Sequence, residues 1–470
     1  MFPNSHAEFV PEKPVGGDYI VSRVRRREEE ICSETEINLS GEISVGTVNI
    51  PIAVSCDGED EKRAVRRAIK TSFYNAAVQF TSERPQWGAL TGIRPSKVAA
   101  KYLDEGKSES ETVALMEEEY FVSETRARLA TDCAVRAKKL AGISKPNDFS
   151  LYVGIPFCAS RCRYCSFVSH SVEKAGHLIE PYLRMLEKEL SVLGEAAGKS
   201  GLSLKSVYIG GGTPTAISAK QLEFVMRTIA DNFDIATAGE YTVEGGRPDT
   251  ITPEKIKIIK QYGATRISVN PQTMNDEILA AMDRRHTAED VIRTVHEVKS
   301  EGGLIINTDL IAGLPGDNFE SFRSSLDRVL AFEPENITVH TLAVKRGSTL
   351  ARENYLLPQD AETGRMVDYA LKTVTAGGYV PYYLYRQKYM SGNLENVGYS
   401  KPGRESDYNN YIMDELHTIL SAGAGGVTKL IDRSGGRIER IFNPKYPYEY
   451  NNAEEKIKQT STAISEFFVG

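Results

Sequence analysis

No stretch of this sequence approaches the roughly 20 consecutive apolar residues that a membrane-spanning helix needs. The opening residues, MFPNSHAEFVPEKP, have neither a basic n-region nor an apolar h-region. A cytoplasmic protein without a membrane span is the expectation. Basic charge is not in excess either: 57 Lys and Arg stand against 64 Asp and Glu, for a formal net charge of -7, which argues against a dedicated nucleic-acid surface. Cysteine is scarce at six residues, too few and too unevenly placed for a disulfide framework. Tryptophan occurs once, at Trp87 within QWGALTGIRPSKV, and reads as a buried anchor. Low-complexity tracts and internal repeats beyond a strand–helix rhythm are missing as well.

What is present is enough apolar material, 41% of 470 residues, for two or more domains. From about residue 17 to 56, apolar and polar residues alternate in short strand-like pieces. After Asp60 the spacing turns helical, with Val65, Ile69 and Phe73 on one stripe and Lys62, Arg63, Arg66, Arg67 and Lys70 on the other. That basic side reads first as a solvated face, with an anion or partner surface as the alternative. Further helices are expected at Pro95 to Leu103 and, twice, between Glu109 and Gly142. The expected domains are an N-terminal α+β domain over 1–146, a barrel over 147–345 and a C-terminal extension over 346–470 that contributes to the substrate site.

Within the second domain, strand candidates at Leu151–Ile155, Ser206–Ile209, Tyr241–Glu244, Arg266–Val269, Leu304–Asp309 and Asn336–Thr341 alternate with five amphipathic helices. Six βα repeats predict an α/β fold, a partial (β/α)6 TIM-like barrel with functional groups at the carboxyl ends of its strands. Beyond it, a helix is expected over Asp360 to Ala376. The stretch PYYLYRQKYMSGNLENVGYS holds too many tyrosines and glycines for a simple strand-and-turn element. Ala422–Lys429 and IERIFNPKYPYEY predict a small C-terminal α+β appendage.

Three of the six cysteines, Cys158, Cys162 and Cys165, follow the first barrel strand in LYVGIPFCASRCRYCSF. A Cys-x3-Cys-x2-Cys loop can hold three irons of a [4Fe–4S] cluster and leaves the fourth iron open. Zinc would need a fourth ligand nearby, for which His170 is the nearest candidate. Cys32, Cys56 and Cys133 form no pattern and read as reduced, buried cysteines.

The triplet with Tyr164 before its last cysteine, set after a first barrel strand, resembles the radical S-adenosylmethionine (SAM) superfamily. The run GGGTPT, with YVGIPFC, VNPQTMND and DLIAGLPG, is similar to one branch, the oxygen-independent coproporphyrinogen III oxidases (coproporphyrinogen dehydrogenases). That likeness covers about residues 150 to 430. LTGIRPSKV and SGNLENVGYSKPG resemble the form with an N-terminal extension. The resemblance implies a [4Fe–4S] cluster on Cys158, Cys162 and Cys165, with SAM on the open iron, cleaved to methionine and a hydrogen-abstracting 5′-deoxyadenosyl radical. The implied SAM contacts are Tyr152, Tyr164, Gly212, Thr213, Glu244, Gln272, Arg284, Asp309 and Ala343, with Tyr152 and Glu244 as the implied catalytic groups. Gly154 departs from the pattern. The better-known oxidases carry histidine there, associated with a second bound SAM, so a second SAM is not implied here.

The implied reaction is oxidative decarboxylation of two propionates of coproporphyrinogen III to vinyl groups, giving protoporphyrinogen IX in anaerobic haem biosynthesis. It needs an electron donor for the cluster and a terminal electron acceptor. A substrate with four propionates calls for cations at the barrel mouth, and Lys345, Arg346, Arg386 and Lys388 are the candidates, although each alone reads equally as a solvated charge. Tyr382, Tyr383 and Tyr385 offer a flat wall or core packing. A haem chaperone of the same family is the rival, with His340 or His417 as haem ligands. Haem methylation with ring opening is a further alternative. The spacing of Cys32, Cys56 and Cys133 argues against a methylthiolating tRNA enzyme, whose type carries an additional cysteine triplet before the barrel.

Overall fold

The computed structural model describes residues 8–10, 12–14, 16–52, 58–81, 84–357, 361–432 and 436–469. Contacts divide the chain into two units, residues 1–131 and 132–470.

In the first unit the alternation after residue 17 resolves into β1 (Tyr19–Arg26), β2 (Glu30–Leu39) and β3 (Glu42–Pro51), an antiparallel meander. α1 (Gly58–Ala77) lies across it. Ile31, Ile50 and Ala68 pack with Val24, Val48 and Val65, and Ile37, Ala76 and Ala77 pack with Phe73 and Phe80. The apolar stripe of α1 thus meets the inward face of the strands, as period-3.6 and period-2 patterns require. α2 (Pro95–Asp104), α3 (Glu109–Tyr120) and α4 (Glu124–Ile143) follow. Ser108 and Glu111 form a reciprocal cap on α3. Trp87 is buried, Cys32 is part-buried and Cys133 is buried, while Cys56 lies outside the described residues.

The division between units falls inside α4, earlier than the expected boundary after 146. The reason is local: Arg136, on the last turns of α4, pairs with Asp407 at 2.8 Å and Glu405 at 3.7 Å, so this end of the helix belongs with the second unit.

The second unit is built on β4 (Asp148–Ile155), β5 (Ser203–Gly211), β6 (Glu240–Gly246), β7 (Arg266–Val269), β8 (Ile305–Ala312) and β9 (Asn336–Thr341). These six run parallel and in sequence order, each paired with the next. Helices α5 (Ile179–Lys199), α6 (Ala219–Asn232), α7 (Pro253–Gln261), α8 (Ala288–Glu301) and α9 (Phe319–Leu330) occupy the crossovers. This is the expected (β/α)6 partial barrel, with every carboxyl strand end on one side.

Two expectations beyond β9 change. The tyrosine-rich stretch does form strands: after α10 (Glu362–Ala376), β10 (Val380–Tyr385) and β11 (Asn396–Ser400) pair antiparallel, and β11 joins β9. Gly398 makes this possible. Any Cβ there would stand 1.9 Å from the Tyr383 ring, which lies flat over the glycine. Nor is the C-terminus an appendage. After α11 (Asp407–Asp414), β12 (Thr418–Ala422) pairs parallel with β4, and β13 (Val427–Ile431) and β14 (Ile438–Phe442) extend the same sheet. The buried Glu189 of α5 fixes this end, accepting from Gly423 N (2.7 Å), Asn443 Nδ2 (2.8 Å) and the Tyr450 hydroxyl. Burial pushes its pKa up to about 7 despite those bonds. α12 (Glu454–Val469) packs along α5.

Candidate active site

Parallel strands buried on both faces expose nothing unless their lumen is open. β4 is buried throughout except at Tyr152, and β9 is buried throughout except at His340. In β5, β6 and β8 the half-buried positions include Tyr208, Glu244 and Asp309. Tyr152 stands beside Tyr208 in the sheet register. These are partly exposed positions on strands otherwise largely buried, and Tyr152, Glu244 and Asp309 are among the groups implied by the sequence.

The cysteine loop follows β4 and is held by the chain ends around it. Gly212 N donates to Ile155 O and Thr213 N to Phe157 O, both at 2.8 Å. A Cβ on Gly212 would meet Phe157 O at 2.6 Å and Cys158 Sγ at 3.0 Å, so glycine alone lets β5 approach the first cysteine this closely. Thr213 Oγ1 lies 3.5 Å from Cys158 Sγ. Ser160 donates to Asp283 O at 2.9 Å, Arg161 to Gly347 O at 2.6 Å, and Arg163 to Ala281 O at 3.0 Å and to Glu353 at 2.5 Å. Burial raises the Cys158 thiol and pushes Cys165 up to about 12.

Arg247 is a participant that sequence reasoning missed. Its guanidinium is 3% exposed, pairs with Asp249 through two bonds of 3.0 and 2.8 Å, and donates to Ser160 Oγ at 2.5 Å, midway between Cys158 and Cys162. Partial burial alone would raise Asp249, but hydrogen bonds from His286 and Arg247 hold it well below the usual carboxylate range. The only sequence signal was the arginine directly before Pro248, a position whose meaning depends on where β6 ends.

Arg284, 6% exposed, donates to Tyr164 Oη at 3.0 Å and Asn270 O at 2.5 Å, and lies 3.7 Å from Cys162 Sγ. Tyr164 also packs against the cluster of Ile278, Met282 and Leu342. Gln272 holds a left-handed backbone, φ 69°, and bridges to β8 through Gln272 N to Asp309 O and Ile311 N to Gln272 O, both 2.9 Å. Such backbone in a non-glycine residue persists where neighbours enforce it. Asp309 accepts from Asn307 at 2.8 Å and lies 3.6 Å from His340. Withdrawal from water, then the charge of Asp309, push Glu244 up to about 8, against a hydrogen bond from Gly211 N. Ala343 sits just past β9, bridged to Met390.

The cations separate. Lys345 is half-buried with its pKa lowered by burial, and Arg346 and Lys388 are exposed. Arg386 is otherwise engaged: its guanidinium caps Asn393 O at 3.1 and 2.8 Å, closing the β10–β11 loop. Tyr383 and Tyr385 stack at 6.3 Å, whereas Tyr382 is buried against Asn409. His417 is buried, with Nε2 2.7 Å from Ser150 Oγ and its ring 3.9 Å from Tyr411, which removes it as a haem ligand. At Gly154 a Cβ would find ordinary contacts of 3.4 Å and more, so packing does not require glycine there.

Strand-end carboxylates, a glycine-lined loop and three cysteines at the mouth of a partial βα barrel define a radical SAM protein. Residues 152–329 match the Radical SAM superfamily. The chain is 38% identical over 408 residues to the oxygen-independent coproporphyrinogen-III oxidase-like protein HemZ of Bacillus subtilis, covering 84% of this chain and 81% of that protein. It is 30% identical over 333 residues to the haem chaperone HemW of Lactococcus lactis, covering 70% and 82%. The Escherichia coli coproporphyrinogen III oxidase HemN, a radical SAM enzyme, shares the fold with a TM-score of 0.54 at 22% identity, covering 69% of this chain and 73% of that one. The chain belongs to the oxygen-independent coproporphyrinogen III oxidase-like family of the radical SAM superfamily, whose cofactors are a [4Fe–4S] cluster and SAM.

The residues present fit those cofactors. Among the described residues no group of three His, Cys, Asp or Glu is spaced for a single metal ion. A cubane spreads its thiolates over separate irons, so its ligands stand further apart than those of one ion. Asn270 Oδ1, Gln272 Oε1 and Arg284 Nε are buried without a hydrogen-bond partner, polar atoms that a bound amino acid or nucleoside can satisfy.

Two outcomes follow. Glu244 has a folded pKa near 8 against an ordinary 4.5, so its contribution to stability is present below about 4.5 and is lost as pH rises through 8. In the ligand-free chain, Glu244→Gln therefore gains thermal stability over the wild type progressively between pH 5 and pH 8.5; a difference independent of pH contradicts the shift. Arg247→Met leaves Asp249 without its guanidinium and Ser160 without its donor, and is expected to lose at least half the iron and sulfide retained after reconstitution while keeping its far-ultraviolet circular dichroism.

Proposed function

We propose that this protein oxidatively decarboxylates two propionates of coproporphyrinogen III, yielding protoporphyrinogen IX in the cytoplasm. When bound, the cluster and SAM supply a one-electron cleavage that generates a hydrogen-abstracting adenosyl radical. Cys158, Cys162 and Cys165 would hold the cluster. Gly212 and Thr213 would line the methionyl part, the fixed guanidinium of Arg284 would orient its carboxylate, and Glu244 its ammonium. Gln272, Asp309 and Ala343 would meet the nucleoside, and Tyr164 would hold Arg284 in place. Tyr152 would stand against the reacting propionate and keep water from it. Loss of a β-hydrogen from the propionate, departure of CO2 and transfer of one electron to an acceptor then leave a vinyl group, and the sequence repeats on a second ring.

The observation that carries this reading is Lys345, half-buried just beyond β9 with no carboxylate within ion-pair distance among the described residues. A partly desolvated ammonium without a counter-ion is disfavoured, and a substrate propionate would supply one. Arg346 and Lys388 are exposed cations available to the remaining propionates, and Tyr383 and Tyr385 offer a flat wall. The higher identity to the oxidase-like HemZ, over more of the chain, supports the same side. The engagement of His417 in the core weakens haem carriage, leaving His340 as the candidate ligand of that rival.

Anaerobic incubation with SAM, a low-potential reductant and coproporphyrinogen III is expected to give vinyl products by mass, and Lys345→Glu to raise KM at least tenfold with kcat little changed. SAM cleavage without vinyl product, together with tight haem binding lost in His340→Ala, would favour the chaperone.

A further inference from the structure

The basic side of α1 is more than a solvated face. Arg63, Arg66, Arg67 and Lys70 stand at i, i+3, i+4 and i+7, one stripe about 10 Å long, and line a cavity of about 240 Å3 within the first unit. Its remaining walls are Ala89, Leu90, Thr91, Gly92, Val98 and Tyr120, together with Thr71. The lining is thus an apolar floor under a cationic rim.

The rim cations are not equally committed. Arg67 pairs with Glu119 at 2.5 Å and lies over the Tyr120 ring at 5.5 Å. Among the described residues Arg63 pairs with the exposed Asp60, at 3.2 Å. Arg66 and Lys70 are exposed, with no carboxylate within ion-pair distance among the described residues. Like charges three and four residues apart repel, so the stripe costs stability unless an anion offsets it. A second, independent observation lies inside the cavity. Thr71 is 4% exposed, and its hydroxyl has no hydrogen-bond partner. Buried hydroxyls are rarely left unpaired, and Thr71 is one of the residues lining this cavity.

We propose that this groove binds a nucleoside polyphosphate. The base lies on the floor of Leu90, Val98 and Tyr120 with one polar atom on the Thr71 hydroxyl, and the phosphates lie along Arg63, Arg66 and Lys70. Size selects the ligand: 240 Å3 is below the range of about 300–1,000 Å3 that encloses drug-sized molecules, so a bicyclic base enters and a tetrapyrrole macrocycle does not. The rim selects for more than one negative charge, since its three accessible cations are spread along two helical turns. This site is separate from the barrel lumen and does not depend on the reaction proposed there.

The single tryptophan gives the assay. Trp87 is buried two residues before Ala89, a wall of the cavity, so its emission excited at 295 nm reports on the groove without exciting a nucleotide. Titration of the full-length, cluster-loaded protein with ATP is expected to give a saturable change with Kd below about 1 mM. Adenosine and tripolyphosphate, followed by calorimetry, should each bind at least tenfold more weakly. Arg66→Glu and Lys70→Glu should weaken ATP at least tenfold, while Lys62→Glu, on the same helix but outside the groove, should not. Thr71→Val, nearly isosteric, should weaken it several-fold at an unchanged thermal midpoint. No saturable ATP binding overturns the proposal. So does tripolyphosphate binding as tightly as ATP, or displacement of ATP by coproporphyrin or an RNA oligomer at lower concentration.

Discussion

The site depends on how closely two chain ends approach each other. β4 ends in the cysteine loop and β5 ends in glycines, and the bonds from Gly212 and Thr213 to Ile155 and Phe157 draw the two together until a Cβ on residue 212 would stand 2.6 Å from Phe157 O and 3.0 Å from Cys158 Sγ. Only glycine permits that contact, and the contact sets where a cluster held by the loop would stand relative to the barrel. The rest of the loop is then fixed from outside by Ser160, Arg161 and Arg163 reaching to Asp283, Gly347 and Ala281. Arg247 fixes it from inside. Three cysteines on a short loop would otherwise pay a large ordering cost before binding anything.

The second constraint is electrostatic. The interior collects Glu244 and Asp309 a few strands apart, and withdrawal from water, reinforced by the charge of Asp309, keeps Glu244 protonated near neutrality. Arg284 supplies the opposing charge, already paired with Tyr164 and the Asn270 carbonyl. A zwitterionic amino acid suits such an arrangement, because its ammonium relieves the carboxylates while its carboxylate meets the arginine. Farther out, Lys345 is half-buried just past β9, and the rings of Tyr383 and Tyr385 stack along one face of β10.

Much of this was legible in the chain. The six barrel strands follow from apolar runs separated by helical spacing, and the end of each falls where a polar or glycine-rich segment begins, which is why Gly212, Glu244, Gln272 and Asp309 could be placed in advance. The β10–β11 hairpin was not legible, because Gly398 reads as a strand breaker until the Tyr383 ring is seen lying on it. The last strands looked like an appendage because their partner, β4, lies more than 250 residues earlier in the sequence, beyond any local pattern. Arg386 looked like a substrate cation because it follows the last barrel elements in sequence, and only the fold shows it closing a loop. Arg247 and Thr71 were invisible for the same reason: one matters through a contact across the barrel, the other through a contact it lacks.

The central claim is that hydrogen leaves a substrate propionate for the nucleoside half of SAM at the mouth defined by Cys158, Glu244 and Lys345. Coproporphyrinogen III deuterated at the β-carbons of its propionates tests it most directly. Anaerobic turnover should give 5′-deoxyadenosine carrying deuterium, one equivalent for each vinyl group formed. Deoxyadenosine free of deuterium, formed in the presence of that substrate, would contradict the account.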